Sequence, residues 1–179
     1  NEKRGYQCVR IKKIEKDEEE LQITLDKNNC LDLESRIGKA PGGYQYYLQK
    51  SRMPFIFMNA AGTQRNLETM IHEAGHAFHS FYSGHLDLIH ERDSPIEFAE
   101  VASMSMELLS HSEWEQFYNK EDSIRAKKKH LEGIIEFMPW MATIDSFQHW
   151  IYKNPNHTRE ERKNKWLEIT NKFGSKYDY

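Results

Sequence analysis

The sequence predicts a mainly α-helical fold with a small β-sheet. Three observations carry this. From about residue 65 onward, apolar residues recur at helical spacing in one segment after another. Before that point lie two short aromatic runs, Tyr44–Leu48 and residues 54–59, of the composition that suits strands. Between these runs and the charged N-terminal part sits a glycine- and proline-rich stretch, Gly38-Lys39-Ala40-Pro41-Gly42-Gly43, which reads as a loop.

The elements follow in order. Residues 1–30 form a charged N-terminal segment. Residues 7–14 and 21–25 alternate partly around Lys16-Asp17-Glu18-Glu19, a pattern that suits a hairpin or an exposed helix followed by a strand. The loop at 38–43 lacks the GxxxxGK[ST] spacing of a phosphate-binding loop. Leu67, Met70, Ile71, Ala74, Ala77, Phe78 and Phe81 keep i, i+3, i+4, i+7 spacing and predict one long helix, which Gly84 would stop. Ser94, Pro95 and Glu97 predict the next helix, over residues 94–110, opened by a capping box. Ser112 with Glu115 and Thr158 with Glu161 repeat that signal. Pro139 and Pro155 are expected to interrupt the remaining helices. Trp140, Phe147, Trp150 and Trp166 recur at helical spacing and are expected in the core.

Composition limits the possible functions. The 179 residues suit one domain, and the 38% hydrophobic content is low for a self-contained chain. Nine Phe, nine Tyr and four Trp nevertheless argue against disorder. A polar average with many aromatics suggests a piece of something larger. The net charge of −3 excludes a strongly basic footprint, so no nucleic-acid partner is expected. No apolar run approaches spanning length, so no membrane partner is expected either. Cys8 and Cys30 are too few for a disulfide framework and read as free thiols in a reducing compartment.

The nine histidines concentrate at His72, His76, His79, His85 and His90. His72-Glu73-Ala74-Gly75-His76 is an HExxH sequence. Two histidines at i and i+4 project from one helix face and can share a metal ion, and Glu73 can approach the ion's open side without ligating it. Zn²⁺ suits this set, one ion per chain. Continuation to HExxHxxGxxH fails, because His79 and Tyr82 stand at the positions that pattern gives to Gly and His. The third ligand then comes from the following helix. That helix carries Glu97, Glu100 and Glu107; Glu97 is accounted for by the capping box, and Glu100, one turn deeper, is free to face the metal helix. Glu107 lies on the same side and can accept a hydrogen bond from the other ring N–H of a ligand histidine; alternatively it is an ordinary surface ion-pair residue.

These residues carry a resemblance. His72-Glu73-Ala74-Gly75-His76-Ala77-Phe78-His79, with Phe98-Ala99-Glu100-Val101-Ala102-Ser103-Met104-Ser105-Met106-Glu107, resembles the oligoendopeptidase F and thimet oligopeptidase family of zinc metallopeptidases. Asp32 to Tyr44, Phe147-Gln148-His149-Trp150 and His157-Thr158-Arg159-Glu160-Glu161-Arg162 are similar to the same family. The likeness covers about residues 30–179. It implies a zincin-like catalytic region at 31–179, of gluzincin type and incomplete at both ends. It implies a cytoplasmic metalloendopeptidase acting on short peptides, with zinc on His72, His76 and Glu100 and with Glu73 as general base. It also implies a sheet whose edge strand lies along the substrate. Residues 55–60 are the candidate, with Phe57, Asn59 and Ala60 on the substrate; a plain structural strand is the alternative. Gly42, Gly43, Tyr44 and His90 are further substrate candidates, and His79 is a candidate behind the ligands. The family's oxyanion-stabilising histidine and tyrosines have no match before Tyr179, so this polypeptide alone is expected to bind zinc and to hydrolyse peptides weakly. A peptide-binding pseudo-peptidase or a metal-stabilised scaffold is the rival reading. The oligomeric state is left open.

Overall fold

A computed structural model describes residue 25 and residues 27–174. The chain divides into two compact units, Asn1–Ser123 and Ile124–Tyr179.

The first unit holds three strands, β1 (Leu31–Glu34), β2 (Tyr44–Leu48) and β3 (Met53–Ala60). Their order is β1-β3-β2. β1 runs parallel to β3, pairing Leu31 with Ile56 and Asp32 with Phe57, and an irregularity follows before Glu34 meets Ala60. β2 runs antiparallel, from Tyr44 opposite Phe57 to Leu48 opposite Met53. β3 alternates strictly: Pro54, Ile56 and Met58 are buried and their neighbours less so. Burying Ile56 and Met58 contributes about 1.5–3 kcal/mol each. Leu25, Cys30, Ile56 and Ala77 form the core of this unit, with Met70 and Phe78 packed against them.

Helix α1 (Gln64–Ser83) lays Ala77 and Met70 on that sheet and ends at Gly84, as its periodicity predicts. A one-turn helix α2 (Ile89–Arg92) leads to α3 (Ile96–Leu109). The capping box expected at Ser94 does not form. Pro95 is extended and takes the N-cap itself, with its carbonyl accepting from Phe98 and Ala99, so Glu97 sits one position too early for the box. Residues 110–116 form a 3₁₀ segment where Ser112 and Glu115 predict a helix start. The next helix, α4 (Lys120–Lys153), begins after Asn119, whose side-chain oxygen accepts from the Asp122 N–H at 2.8 Å.

Pro139 does not interrupt α4, which runs through it. Proline in mid-helix costs about 3 kcal/mol, and a helix of this length continues on both sides. In the second unit, α5 (Arg159–Phe173) opens with the expected capping box. Thr158 N–H donates to Glu161 Oε2 at 2.7 Å and Glu161 N–H donates to Thr158 Oγ1 at 3.2 Å. The four aromatics expected in the core do cluster, with Phe147 and Trp140 each edge-on to Trp166. Trp140 is nevertheless 52% exposed, so the cluster is a surface packing, not a sealed core. No helix among the described residues is long and apolar enough to cross a membrane. The hairpin or helix considered for residues 7–25 lies almost wholly outside the described residues, as does Cys8. Cys30 is free and buried.

Candidate metal centre

The site forms where α1 crosses α3. Gly75 makes the crossing close. A Cβ there would lie 2.6 Å from Ser103 Cα and 3.0 Å from the Ala102 carbonyl, so only glycine fits. Close approach brings the second turn of α3 against the HExxH turn of α1, and Glu100 reaches both histidines.

His72 Nε2 and His76 Nε2 are 3.2 Å apart. Glu100 places Oε2 3.3 Å from His72 Nε2 and Oε1 3.7 Å from His76 Nε2. His72, His76 and Glu100 form the one group of potential metal ligands among the described residues, with ligand atoms within 4.8 Å of one another. Metal–nitrogen bonds of about 2.0–2.1 Å in tetrahedral geometry need ligand atoms about 3.3 Å apart, a separation that the two imidazole nitrogens, at 3.2 Å, and the His72–Glu100 pair, at 3.3 Å, match. The hydrogen bonding points the same way. His72 Nδ1–H donates to Glu107 Oε1 at 2.6 Å, which turns the Nε2 lone pair towards Glu100. A ring N–H of His76 donates to the Ala99 carbonyl. Two imidazole nitrogens and a carboxylate thus converge with too few protons between them, and a cation would relieve this crowding of lone pairs. The residues fit Zn²⁺.

Electrostatics separates the two histidines. The Glu107 hydrogen bond raises the His72 pKa. Burial, followed by His72 itself, lowers that of His76. Ser103 is fully buried, and its hydroxyl lies 3.1 Å from Glu100 Oε2 and 3.1 Å from the Glu100 carbonyl. Glu73 is only 7% exposed, and burial pushes its carboxyl above the usual carboxylate range. The Gln45 backbone N–H donates to it. That N–H points away from β3, so Glu73 lies at the outer edge of β2, which pairs with no other strand among the described residues.

Beside these groups is a cleft of ≈ 460 Å³ lined by Gly42, Gly43, Asn59, His72, Glu73 and Glu107, among others. Three substrate candidates therefore border it: Gly42, Gly43 and Asn59. The rest do not. Phe57 stacks on Tyr44 with centroids 4.9 Å apart, on the sheet face opposite Ile56 and Met58. Ala60 pairs with Glu34 at the end of β3, and exposed His90 sits in α2. His79 is near enough to His76 to lower its pKa but stands outside the ligand group. The expectation that residues 55–60 are an edge strand is not met: β3 is the central strand, paired with β1 along one side and with β2 as far as Phe57 along the other. Arg65, Glu68 and Thr69 also line the cleft and escaped the sequence reading. Arg65, Thr69 and His72 share one helix face by their i, i+4, i+7 spacing, a signal that was available.

A family model described as Peptidase family M3 matches residues 9–178. Oligoendopeptidase F, chromosomal, of Lactococcus lactis subsp. cremoris is 34% identical over 77 residues, which is 43% of this chain and 13% of that protein. An oligoendopeptidase F homolog of Mycoplasma pneumoniae is 42% identical over 55 residues, 31% of this chain and 9% of that protein. Among solved structures, PZ peptidase A with inhibitor 2 superposes with a TM-score of 0.81 at 36% identity, over 91% of this chain and 29% of that one. The chain thus spans well under a third of the length of these relatives.

Proposed function

The chain belongs to peptidase family M3, and from that premise we propose that residues 31–179 carry the catalytic centre of a zinc-dependent endopeptidase acting on short peptides. The observation that carries the reading is the convergence of His72, His76 and Glu100 beside a buried Glu73 and an open cleft. A cytoplasmic setting belongs to the same proposal and rests on the family likeness and the free Cys30 thiol.

His72, His76 and Glu100 would hold the ion. Bound there, Zn²⁺ supplies Lewis acidity for the scissile carbonyl and lowers the pKa of a water. The chain's own groups do the rest. Glu73 takes a proton from the attacking water and returns it to the leaving amine. Burial supports this role by raising its carboxyl towards the pH at which a base accepts and returns a proton readily. Glu107 holds the His72 tautomer, and Ser103 holds the Glu100 carboxylate. The substrate backbone would lie along β2, whose outer edge faces Glu73 and has no strand partner among the described residues, and add to it as a strand.

The test is Glu73→Gln in the complete protein. Zinc content should stay at one per chain while peptide hydrolysis falls ~10²–10⁴-fold, the usual contribution of a positioned base. Unchanged hydrolysis would remove Glu73 from the mechanism. Zinc binding with no hydrolysis in the unsubstituted complete protein would favour the peptide-binding pseudo-peptidase.

A further inference from the structure

The loop at residues 38–43 has no phosphate-binding pattern, yet it contains the most thoroughly enclosed cation among the described ion pairs. The Lys39 side chain is 1% exposed. Its ammonium lies 2.5 Å from the Met58 carbonyl, 2.9 Å from the Asp32 carbonyl, 2.9 Å from the Glu34 carbonyl and 3.1 Å from Asp32 Oδ1. It also stands 4.4 Å from the centre of the Phe57 ring. Desolvating an ammonium is costly unless oxygens replace its water, and here four do. The three carbonyls lie where the β1–β3 register slips between Asp32 and Glu34, the point at which regular pairing leaves carbonyls without partners.

This anchor has a consequence for the cleft. Lys39 fixes the start of the loop to β1 and β3. Asn59 fixes its middle, donating from Nδ2 to the Ala40 carbonyl at 2.7 Å and to the Gly42 carbonyl at 3.0 Å. Gly42 has φ +101°, a conformation open to glycine, and turns the chain into β2. A Cβ on Gly43 would lie 2.9 Å from Thr69 Cγ2, so the loop abuts α1 one turn before His72. The Gly42–Gly43 backbone is thereby held as one wall of the cleft and as the entry to the outer edge of β2.

We propose that Lys39 is a positioning residue for substrate: a buried ammonium standing where a structural cation would, which sets the distance between the Gly42–Gly43 wall and the metal helix. Its bearing on peptide binding rests on the peptidase reading above. Lys39 is neither in the candidate metal group nor among the residues that line the cleft.

Lys39→Met tests this, since it removes the charge and keeps most of the volume. Three readouts are taken on purified, folded protein: zinc affinity, amide hydrogen exchange by segment, and peptide KM and kcat. Positioning predicts unchanged zinc affinity. It predicts exchange at residues 40–45 faster by on the order of tenfold, with α1 and α3 unaffected. It predicts KM raised roughly tenfold with kcat nearly unchanged, because a displaced wall misplaces the peptide before the chemistry. Uniformly faster exchange would overturn the proposal in favour of general stabilisation, and unchanged exchange at 40–45 would overturn it outright. Asn59→Ala, which releases the other anchor, should reproduce the local change more weakly. If the unsubstituted complete protein hydrolyses no peptide, the peptidase reading fails, while the exchange pattern still decides what Lys39 holds.

Discussion

His72 depends on a residue 35 positions away. Its Nδ1–H donates to Glu107 at 2.6 Å, and that bond selects the tautomer whose Nε2 can bind a metal. Glu107→Ala should therefore weaken zinc binding about 10–100-fold, measured by chelator competition, with the helical content unchanged. An unchanged affinity would make Glu107 a bystander. Glu73 differs from His72, His76 and Glu100 in being placed by the edge of a strand, through the Gln45 N–H. Sequence spacing identifies Glu73 as a neighbour of His72 on the helix. It says nothing about Gln45, because only tertiary packing brings β2 against α1.

At the scale of elements, the α1–α3 crossing decides whether the site exists. Gly75→Ala gains about 1 kcal/mol of helix propensity. It also drives a methyl group against Ser103 Cα and the Ala102 carbonyl, which are backbone and cannot swing away. Overpacking of this kind costs about 1–3 kcal/mol. The expected result is a lower Tm together with weaker zinc binding, since separating the helices carries Glu100 away from His72 and His76. A normal zinc affinity in this variant would show that the crossing distance is not limiting. The sheet shows the opposite case. Tyr44–Leu48 and the core of β3 were legible from aromatic and alternating patterns. Their order was not. The most apolar run is the central strand because it must bury one face under α1 and pair along both edges, and the shorter, more polar β2 is left at the edge. The capping signals divide for a local reason. Thr158 and Glu161 form their box, whereas Pro95, at φ −52° and ψ 145°, lies outside the helix and takes the cap from Ser94; its ring fixes φ, which helical and extended backbone share, and leaves ψ to the neighbouring chain.

Across the whole molecule, stability should depend on pH through Asp32. Hydrogen bonds from Arg36 and Lys39 hold its carboxyl far below the usual carboxylate range. A group whose pKa is depressed by folding contributes stability above its unfolded value, near 3.9, and loses it as the pH falls towards the folded value. Asp32→Asn should thus lower Tm at neutral pH, and the gap from the unsubstituted protein should close below about pH 4. A gap independent of pH would show that the carboxylate charge is not what matters. What repeats along the backbone was legible from the residues alone: the helical period of α1, the i, i+4 pair of His72 and His76 with Glu73 beside them, the strand-forming runs and the stop at Gly84. Glu100 was reached through a capping argument that the structure does not bear out. Long-range packing brings Glu100 to the two histidines, makes β3 central with β2 at the edge of the described sheet, places Gly42 and Gly43 but not Tyr44 on the cleft, and buries Lys39. The reason is the range of the interactions. Period and propensity act over a few residues, whereas ligand convergence, strand order and the solvation of a buried charge depend on which distant segments pack together.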